Sequence, residues 1–312
     1  MRLVIFMTGQ FRSFWRAYAN MMEKVVVPAE RVKYDVVLCI GLDRGMKTKG
    51  VRWEDGEMER EREAIKKDWL MSSNSNEKKT SRGFIMEWID KSHPDFQKAE
   101  KSLEWFQKKG SLASYWMDYL LNRSGSCIEY AQFNALMERC REEYSPFSST
   151  DFLLRTRTDI LLRYEMDFTS LSIHQPPEHI RDVFPGMMKH LKEEEKEEID
   201  WKRNHEREAS ILQWTEPSSD SKWAITFRKN LIYIMPLTHA TIVCGVVQNY
   251  GNWDTPQENR YWFNAESQFR GCLRNHGFNV LEYSQDVDEC HDELEFEDSS
   301  HRLPLYAIMR AI

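Results

Sequence analysis

The amino-acid sequence predicts an α/β fold, with a mainly parallel central sheet flanked by helices. Three observations indicate this class. Residues 2–7 and 34–40 are short apolar runs rich in β-branched side chains, and a helix is predicted over 14–27 between them. Residues 151–162 form a third apolar run, which is interrupted by arginines and an aspartate. A strand, a helix and a second strand so close together form a unit with two parallel strands.

The length and composition support one folded domain. The chain has 312 residues, of which 41% are hydrophobic and 30% are charged, so it can bury a core. No internal repeat and no convincing boundary divides it. We therefore expect a single domain over residues 1–312, with helical insertions at about 54–122 and 187–215.

The remaining elements follow from periodicity and from turn residues. Residues 126–144 show the clearest helical spacing of apolar side chains, after a Ser-Gly-Ser start. Helices are also predicted over 54–70, 83–122, 187–213 and 258–276, a loop over 172–186, and strands within 223–236 and at 278–281. Gly277 follows the helix predicted over 258–276, and glycine is favoured just after a helix end.

Charge and cysteine usage exclude several classes of protein. The net charge is −7 and no long Lys/Arg run occurs, which argues against nucleic-acid binding. The six cysteines match no zinc spacing and are typical of buried free thiols in a reducing compartment. The first apolar run is too short for a signal peptide, and no stretch approaches the ~18 apolar residues of a membrane span. We therefore expect a cytoplasmic protein without an integral membrane segment.

Polar residues follow the first two predicted strands. Thr8, Gly9, Gln10 and Arg12 follow the first strand, and Asp43 follows the second. Because ligands bind at the carboxyl ends of parallel strands, we expect these residues to lie on one rim. Glycine permits close backbone approach to a ligand, and an arginine there can reach a phosphate. The alternative is an ordinary strand-to-helix turn.

The third predicted strand carries Arg155, Arg157 and Asp159 at alternate positions. Charged side chains in an otherwise apolar central strand are expected at functional sites. Guanidinium groups bind phosphate oxygens, and an aspartate can bind a divalent cation that bridges the two phosphates of a diphosphate. The alternative is that both arginines pair with acidic neighbours at the edge of the sheet.

Glu266 lies near the start of the helix predicted over 258–276. A carboxylate in this position can act as a general base for an acceptor hydroxyl. The alternative is a capping carboxylate that interacts with the helix dipole.

These signals, in this order, resemble glycosyltransferases of the GT-A type, whose fold is Rossmann-like. More narrowly, they resemble the WavE-like transferases of polysaccharide synthesis and the glycosyltransferases of large algal viruses. The resemblance rests on the turn after the first strand, on Tyr130-Ala131-Gln132, and on the strand from Leu154 to Asp159. It spans roughly residues 2–43, 124–163 and 220–283.

The resemblance implies transfer of a sugar from a nucleoside-diphosphate sugar, weighted toward a UDP-sugar, to a glycan acceptor. It implies a Mn²⁺ or Mg²⁺ ion on Asp159 and inversion with Glu266 as the base, whereas a retaining enzyme would need no such base. In GT-A enzymes a C-terminal histidine often completes the metal site, and His291 and His301 are the candidates here; the alternative for each is an ordinary surface histidine. Arg157 stands where a D-x-D metal motif would place its first aspartate. A cytoplasmic enzyme of this kind fits a viral or bacterial source. The donor-binding residues implied are Thr8, Gly9, Gln10, Arg12, Asp43, Gln132, Arg155 and Arg157.

Three other functions remain open at this point. A non-catalytic carbohydrate-binding or assembly protein can keep the same fold. A nucleotidyltransferase would usually show a glycine-rich, lysine-containing loop after the first strand, and residues 8–12 hold one glycine and no lysine. A helical interaction protein built on the charged segments 54–110 and 187–213 leaves the Arg-x-Arg-x-Asp strand unexplained.

Overall fold

The structure is a computed structural model, and its strands form two sheets. The larger sheet has seven strands among the described residues, and the smaller has three. The structure describes residues 1–45, 47, 50–72, 80–90, 92–94, 97, 125–171, 177, 180–186, 222–227, 232–241, 273, 276–283, 288–290 and 306–309.

Four parallel strands make up one half of the large sheet. Strand β1 (Arg2–Gly9) lies between β2 (Asp35–Asp43) and β4 (Phe152–Arg157), and β3 (Arg82–Ile89) lies outside β2. The interior positions of β1 and β2 are almost all buried, as expected for strands covered on both faces. The predicted parallel pair is confirmed.

A continuous helical segment connects β1 to β2. It consists of a 3₁₀ turn at Phe11–Ser13, α1 (Phe14–Met21), a π-helical stretch at Met22–Val26, and α2 (Val27–Arg31). Pro28 lies in the first turn of α2, directly after the π-helical stretch, and proline and π-helical turns are both common at bends in helices. The helix predicted over 14–27 is therefore confirmed.

The other half of the large sheet is mixed. Strand β7 (Ile232–Pro236) runs antiparallel to both β4 and β6 (Lys222–Phe227), and β8 (Phe278–Tyr283) is parallel to β6. The strand order is β3-β2-β1-β4-β7-β6-β8. The predicted α/β class, with a mainly parallel sheet and flanking helices, is confirmed.

The first strand of the smaller sheet comes directly after β4 of the large sheet in the chain. Strand β5 (Ile160–Leu162) follows the turn that ends β4, and it pairs antiparallel with β10 (Tyr306–Met309). Strand β9 (Asp288–Cys290) pairs with β10 in parallel. The apolar run predicted as one strand over 151–162 is thus two strands in two sheets, because the chain turns at Thr158 and Asp159.

Helices cover both faces of the large sheet, and each face has its own apolar core. The first core joins β1, β2 and β4 to α1, α2 and α3 (Glu57–Met71). The second core joins the opposite side chains of the same strands to α4 (Gly125–Tyr144) and α6 (Leu237–Ala240). A short helix, α5 (Ile180–Val183), contributes Val183 to the first core.

The helix predicted over 83–122 is wrong where the structure describes its start. Residues 82–89 form β3, which pairs in parallel with β2 along its whole length. The run from Phe84 to Ile89 is apolar at most positions, and periodicity alone cannot separate a short buried strand from a buried helix segment. Sheet pairing decides the conformation here. The helices predicted over 187–213 and 258–276 lie outside the described residues, apart from Leu273 and His276.

Two further expectations can be compared with the structure. Cys39 and Cys140 are buried free thiols, as predicted. Gly277 has a φ of 73°, the left-handed conformation that favours glycine after a helix. Within the described part of the chain, no helix combines the length and the apolar character needed to cross a membrane.

Candidate functional site

The order of the strands reverses at β1 and β4, and an open α/β sheet has its ligand-binding crevice at such a reversal. From β1 the chain moves outward to β2 and β3, and it then returns to form β4 on the other side of β1. Ligands of open α/β sheets bind at such a reversal, outside the carboxyl ends of the strands. Thr8 pairs with Arg157 at this end of the sheet, so the two predicted motifs lie side by side.

The turn after β1 and the turn after β4 are joined by hydrogen bonds. The backbone N–H of Thr158 donates to the carbonyl of Thr8 at 3.1 Å, and the Thr158 hydroxyl donates to the carbonyl of Gln10 at 2.6 Å. Gly9 has a φ of 141°, and a Cβ atom there would lie 2.6 Å from the Thr158 hydroxyl. Glycine is therefore needed for both its conformation and its small size.

Two arginines bind one carboxylate at the mouth of this crevice. Arg157 donates from Nε to Oδ1 of Asp159 at 2.9 Å and from Nη2 to Oδ2 at 2.7 Å. Arg12 donates from Nη2 to the same Oδ2 at 2.9 Å. The Asp159 side chain is 4% exposed, whereas those of Arg12 and Arg157 are 19% and 23% exposed. Both arginine side chains are therefore more exposed than the carboxylate that they bind.

This arrangement fixes the charge of Asp159. Burial raises the pKa of the carboxyl, but the charge of Arg157 and the hydrogen bonds from Arg157 and Arg12 lower it further, so the net pKa falls below its ordinary value. Asp159 is consequently ionised at neutral pH, and it forms a charge-assisted network with both guanidinium groups.

Arg155 lies deeper than Arg157 on the same strand. It is 3% exposed, and it donates from Nε and Nη2 to the hydroxyl of Thr8 at 3.1 and 2.9 Å. Its guanidinium carbon is 5.8 Å from the centre of the Tyr233 ring. Arg155 therefore ties β4 to β1 and β7 and adds a positive charge beneath the crevice.

Gln132 approaches the end of β1 from helix α4. Its side chain is fully buried, and Nε2 donates to the carbonyl of Gly9 at 3.3 Å. Its other polar atom, Oε1, is buried and has no hydrogen-bond partner among the described residues. A Cβ atom on Gly41 would lie 3.0 Å from the Cβ of Gln132, so the glycine in β2 allows α4 to pack closely here.

Asp43 occupies the same edge of the sheet, at the end of β2. Its Oδ1 accepts a hydrogen bond from the backbone N–H of Gly45 at 2.7 Å, and its carbonyl accepts one from Trp53 Nε1 at 3.1 Å. This geometry holds the turn after β2 in place and leaves Asp43 9% exposed.

A group of aromatic rings borders this edge, and the sequence analysis missed it. The ring of Trp53 lies 5.1 Å from that of Phe11 and 5.0 Å from that of Trp88, between ring centres. The Nζ of Lys47 lies 5.8 Å from the Phe11 ring and 5.6 Å from the Trp53 ring. Trp53 ends a segment, residues 44–53, that is otherwise polar and rich in glycine and lysine and is therefore typical of a loop. An isolated tryptophan in such a loop was the available signal.

The structure brings most of the predicted site residues together. Asp43 lies on the neighbouring strand end at the same edge of the sheet. The predicted base Glu266 and the candidate metal ligands His291 and His301 lie outside the described residues. The residues joined by the contacts given above are Thr8, Gly9, Gln10, Arg12, Gln132, Arg155, Arg157 and Asp159.

The metal-ligand role predicted for Asp159 does not fit this geometry. Its two oxygens already accept three hydrogen bonds from guanidinium groups, of about four acceptor positions that a carboxylate has. A divalent cation here would also be repelled by the two guanidinium groups that bind the carboxylate. The described residues contain no group of three or more His, Cys, Asp or Glu side chains that could hold a metal ion. Mn²⁺ or Mg²⁺ binding at Asp159 thus stays a prediction without a matching ligand set here.

Comparison with protein-family models and with curated proteins finds no match. The narrower resemblance to WavE-like and algal-virus transferases therefore stays a prediction.

Solved structures of three glycosyltransferases are similar at low identity. A galactosyltransferase, LgtC, in complex with donor and acceptor sugar analogues is 10% identical, with a TM-score of 0.35 over 100% of this chain and 87% of that one. Mouse xyloside xylosyltransferase 1 is 9% identical, with a TM-score of 0.33 over 99% and 94%. A mannosyltransferase of S. cerevisiae in complex with GDP is 10% identical, with a TM-score of 0.31 over 90% and 69%. Similarity at this level does not carry a function across, so the function is inferred from the site itself.

Proposed function

We propose that this protein is a glycosyltransferase that moves a sugar from a nucleoside-diphosphate sugar, with a UDP-sugar favoured, to a hydroxyl of a glycan acceptor. One observation carries the proposal. A cluster of guanidinium groups stands at the reversal of strand order, at the carboxyl ends of β1 and β4. This is where an α/β sheet binds its ligand, and guanidinium groups match phosphate oxygens in geometry and charge.

The chemistry of sugar transfer suits such a site. As the bond between the anomeric carbon and the diphosphate breaks, negative charge builds on the diphosphate oxygen that leaves. Cationic side chains already fixed in place stabilise this charge more in the transition state than in the bound donor, and this difference lowers the barrier. Arg12 and Arg157 are held by Asp159 before a ligand arrives, so their orientation costs little during the reaction.

The neighbouring residues extend the proposed donor site. Asp43, at the end of β2, would accept hydrogen bonds from the ribose or base of the nucleotide. The backbone around Gly9 and Gln10 would lie against the donor, because a glycine permits close approach. Gln132 contacts the carbonyl of Gly9 and supports this turn from α4.

The acceptor half of the proposed reaction depends on Glu266. By the resemblance to GT-A transferases, it would remove the proton of the acceptor hydroxyl, which then attacks the anomeric carbon from the side opposite the diphosphate and inverts its configuration. No step is assigned to a divalent cation, because Asp159 does not fit a metal ligand. Replacement Glu266→Gln is expected to lower turnover strongly with little loss of donor affinity. Equal losses of both would indicate a structural role.

The proposal is tested by ligand-induced thermal stabilisation. The purified protein would be heated with UDP-, GDP- and dTDP-sugars in turn, in EDTA and in Mn²⁺. A ligand at ~100 times its Kd adds about 2.7 kcal/mol of stability, which is a readable rise in Tm. A rise with one nucleotide class in either buffer supports the proposal, and no rise with any of them contradicts it. Donor binding without transfer to any glycan acceptor would favour the non-catalytic carbohydrate-binding alternative.

A further inference from the structure

We infer that Arg12 and Arg157, held in place by Asp159, neutralise the donor diphosphate in the position that a divalent cation would otherwise take. This inference rests on the proposed function, because it names the groups that receive the diphosphate. Arg12 and Arg157 would contact the donor, whereas Asp159 would act on it only through them and is a positioning residue.

The first support is the arrangement of the three side chains. Arg157 approaches Asp159 with two parallel N–H bonds, which fix the plane of its guanidinium group. Arg12 uses one of its N–H groups on the same carboxylate from the opposite motif, 147 residues away in the chain. Both arginine side chains are more exposed than the carboxylate between them. A ligand that approaches from solvent can therefore reach the arginines more readily than it can reach Asp159.

The second support is the local charge. The described residues at the ends of β1 and β4 carry three guanidinium groups, on Arg12, Arg155 and Arg157, and one carboxylate, on Asp159. The diphosphate of a sugar nucleotide carries two negative charges, and guanidinium groups bind phosphate oxygens through charge-assisted hydrogen bonds.

The third support is what Asp159 does for the arginines. Without a carboxylate between them, two guanidinium groups this close would repel and turn toward solvent. Paired with Asp159, they stay near the ends of both strands in the geometry that a diphosphate needs. A metal ligand would instead direct free acceptor positions toward the donor, and three of the roughly four acceptor positions of Asp159 are occupied by N–H groups.

The inference is tested by titration calorimetry with UDP, GDP and dTDP in turn, each in EDTA and in Mn²⁺. For the nucleotide that binds, we expect Kd values within about twofold of each other in the two buffers. Arg12→Gln and Arg157→Gln should each weaken binding at least about tenfold in both buffers, and should reduce the dependence of Kd on salt concentration. A role confined to folding would leave that salt dependence unchanged.

A matched control is Arg139→Gln. Arg139 lies on α4, is half exposed, and pairs with Glu142 and Glu143, so the same chemical change there should leave nucleotide affinity unchanged. Asp159→Asn separates the two roles of the carboxylate. If Asp159 positions the arginines, this variant should weaken nucleotide binding by the same factor in EDTA and in Mn²⁺. If Asp159 binds a metal ion, the variant should weaken binding only in Mn²⁺. Circular dichroism would confirm that each variant is folded.

The outcomes are distinguishable. Binding that appears only with Mn²⁺, and that Asp159→Asn abolishes, overturns the inference and leaves the proposed transferase standing. The absence of binding in both buffers by the folded wild-type protein overturns the proposed function, and the inference with it.

Discussion

The hydroxyl oxygen of Thr158 lies 2.6 Å from the position that a Cβ atom on Gly9 would occupy. Any larger residue at position 9 must therefore displace Thr158, whose hydroxyl also bonds to the carbonyl of Gln10. The contact joins the end of β1 to the turn after β4, and the proposed donor site is built on both.

Gly9→Ala is expected to lower the free energy of unfolding by roughly 1–3 kcal/mol, because a strained backbone and a steric conflict occur at one residue. It should also weaken nucleotide binding. Urea denaturation and calorimetry measure the two effects. Gly277→Ala is the matched control, since Gly277 has a φ of 73° and a Cβ atom there would meet no heavy atom of the described residues within 4 Å. Equal destabilisation by both variants would show that the Thr158 contact is unimportant.

Asp159 should make the stability of the protein depend on acidity. Its pKa is lower in the folded than in the unfolded state, so its stabilising effect is present above its unfolded pKa and is lost as the pH falls through its folded pKa. We expect the unfolding free energy of the wild type to fall from about pH 5 downward. In Asp159→Asn, stability at pH 7 should be lower and its decline in acid shallower. Urea denaturation at each pH measures the free energy of unfolding of both proteins. If it fell equally with pH in the two proteins, Asp159 would not be the source of the pH dependence.

Gln132 should support nucleotide binding while it lowers the stability of the folded protein. It is fully buried, its Oε1 has no partner in the described part of the chain, and an unsatisfied buried polar atom costs about 1–3 kcal/mol. Gln132→Met is similar in volume; it removes the unsatisfied oxygen but also the 3.3 Å bond to the Gly9 carbonyl, which offsets part of the gain. The variant should therefore raise the unfolding free energy by no more than about 1 kcal/mol while it weakens nucleotide binding. Asn134 has a buried carbonyl oxygen in the same situation but was not predicted as a site residue. Asn134→Leu should therefore stabilise the protein with no change in nucleotide affinity. If Asn134→Leu also lost affinity, weaker binding by Gln132→Met would not indicate a specific role of Gln132 at the site.

Tyr18 should resist ionisation until the protein unfolds. Burial raises its pKa above the ordinary value, and the hydrogen bond that its hydroxyl donates to Asp68 at 2.8 Å raises it further. A raised folded pKa gives stability that is present below the unfolded pKa of about 10 and is lost as the pH rises beyond it. Ultraviolet absorbance in alkaline solution should show tyrosines that titrate only on unfolding. Tyr18→Phe should remove one of them and lower stability at neutral pH by about 1 kcal/mol.

Cys39 and Cys140 should be unreactive in the folded protein. Both are fully buried, and burial together with the neighbouring Cys140 raises the pKa of the Cys39 thiol. Since the thiolate is the reactive form, iodoacetamide should label neither residue without denaturant. Peptide mass spectrometry would identify the labelled cysteines. Rapid labelling of either residue in native buffer would show that the contact between β2 and α4 opens readily.

The parts of the fold that the sequence predicted are those determined by local pattern. The strands β1, β2 and β4 are recognisable as short apolar runs, which in β1 and β2 are rich in β-branched residues, because strands buried on both faces have this composition. Helix α4 has a clear start and a regular apolar spacing, and it lies at 125–144 against a prediction of 126–144. Strand β3 was missed because its conformation depends on pairing with β2, which no local pattern in its own residues reveals.

The candidate site was predictable in its location but not in its internal contacts. The ends of β1 and β4 were identified because Gly9 and the Arg-x-Arg-x-Asp pattern each break a buried strand. The sequence could not show that Arg12 crosses to Asp159, because that bond joins residues 147 apart. Both interpretations offered for Arg157 apply in part, since it lies at the proposed site and also pairs with an acidic neighbour. The aromatic group around Trp53 depends on the path of a loop, which pattern alone does not fix.

The pairing of β1 with β4 also has a consequence for biosynthesis. About half of the chain separates the two strands, so β1 leaves the ribosome long before its central partner and waits for it until residues 152–157 have been made. Contacts between distant parts of a chain form late and slow the folding of a domain. Until then β1 has one uncovered edge, which favours pairing with other nascent chains. Recovery of nucleotide binding after dilution from urea would therefore report the closing of the sheet at its centre, and it should lag behind the formation of helices.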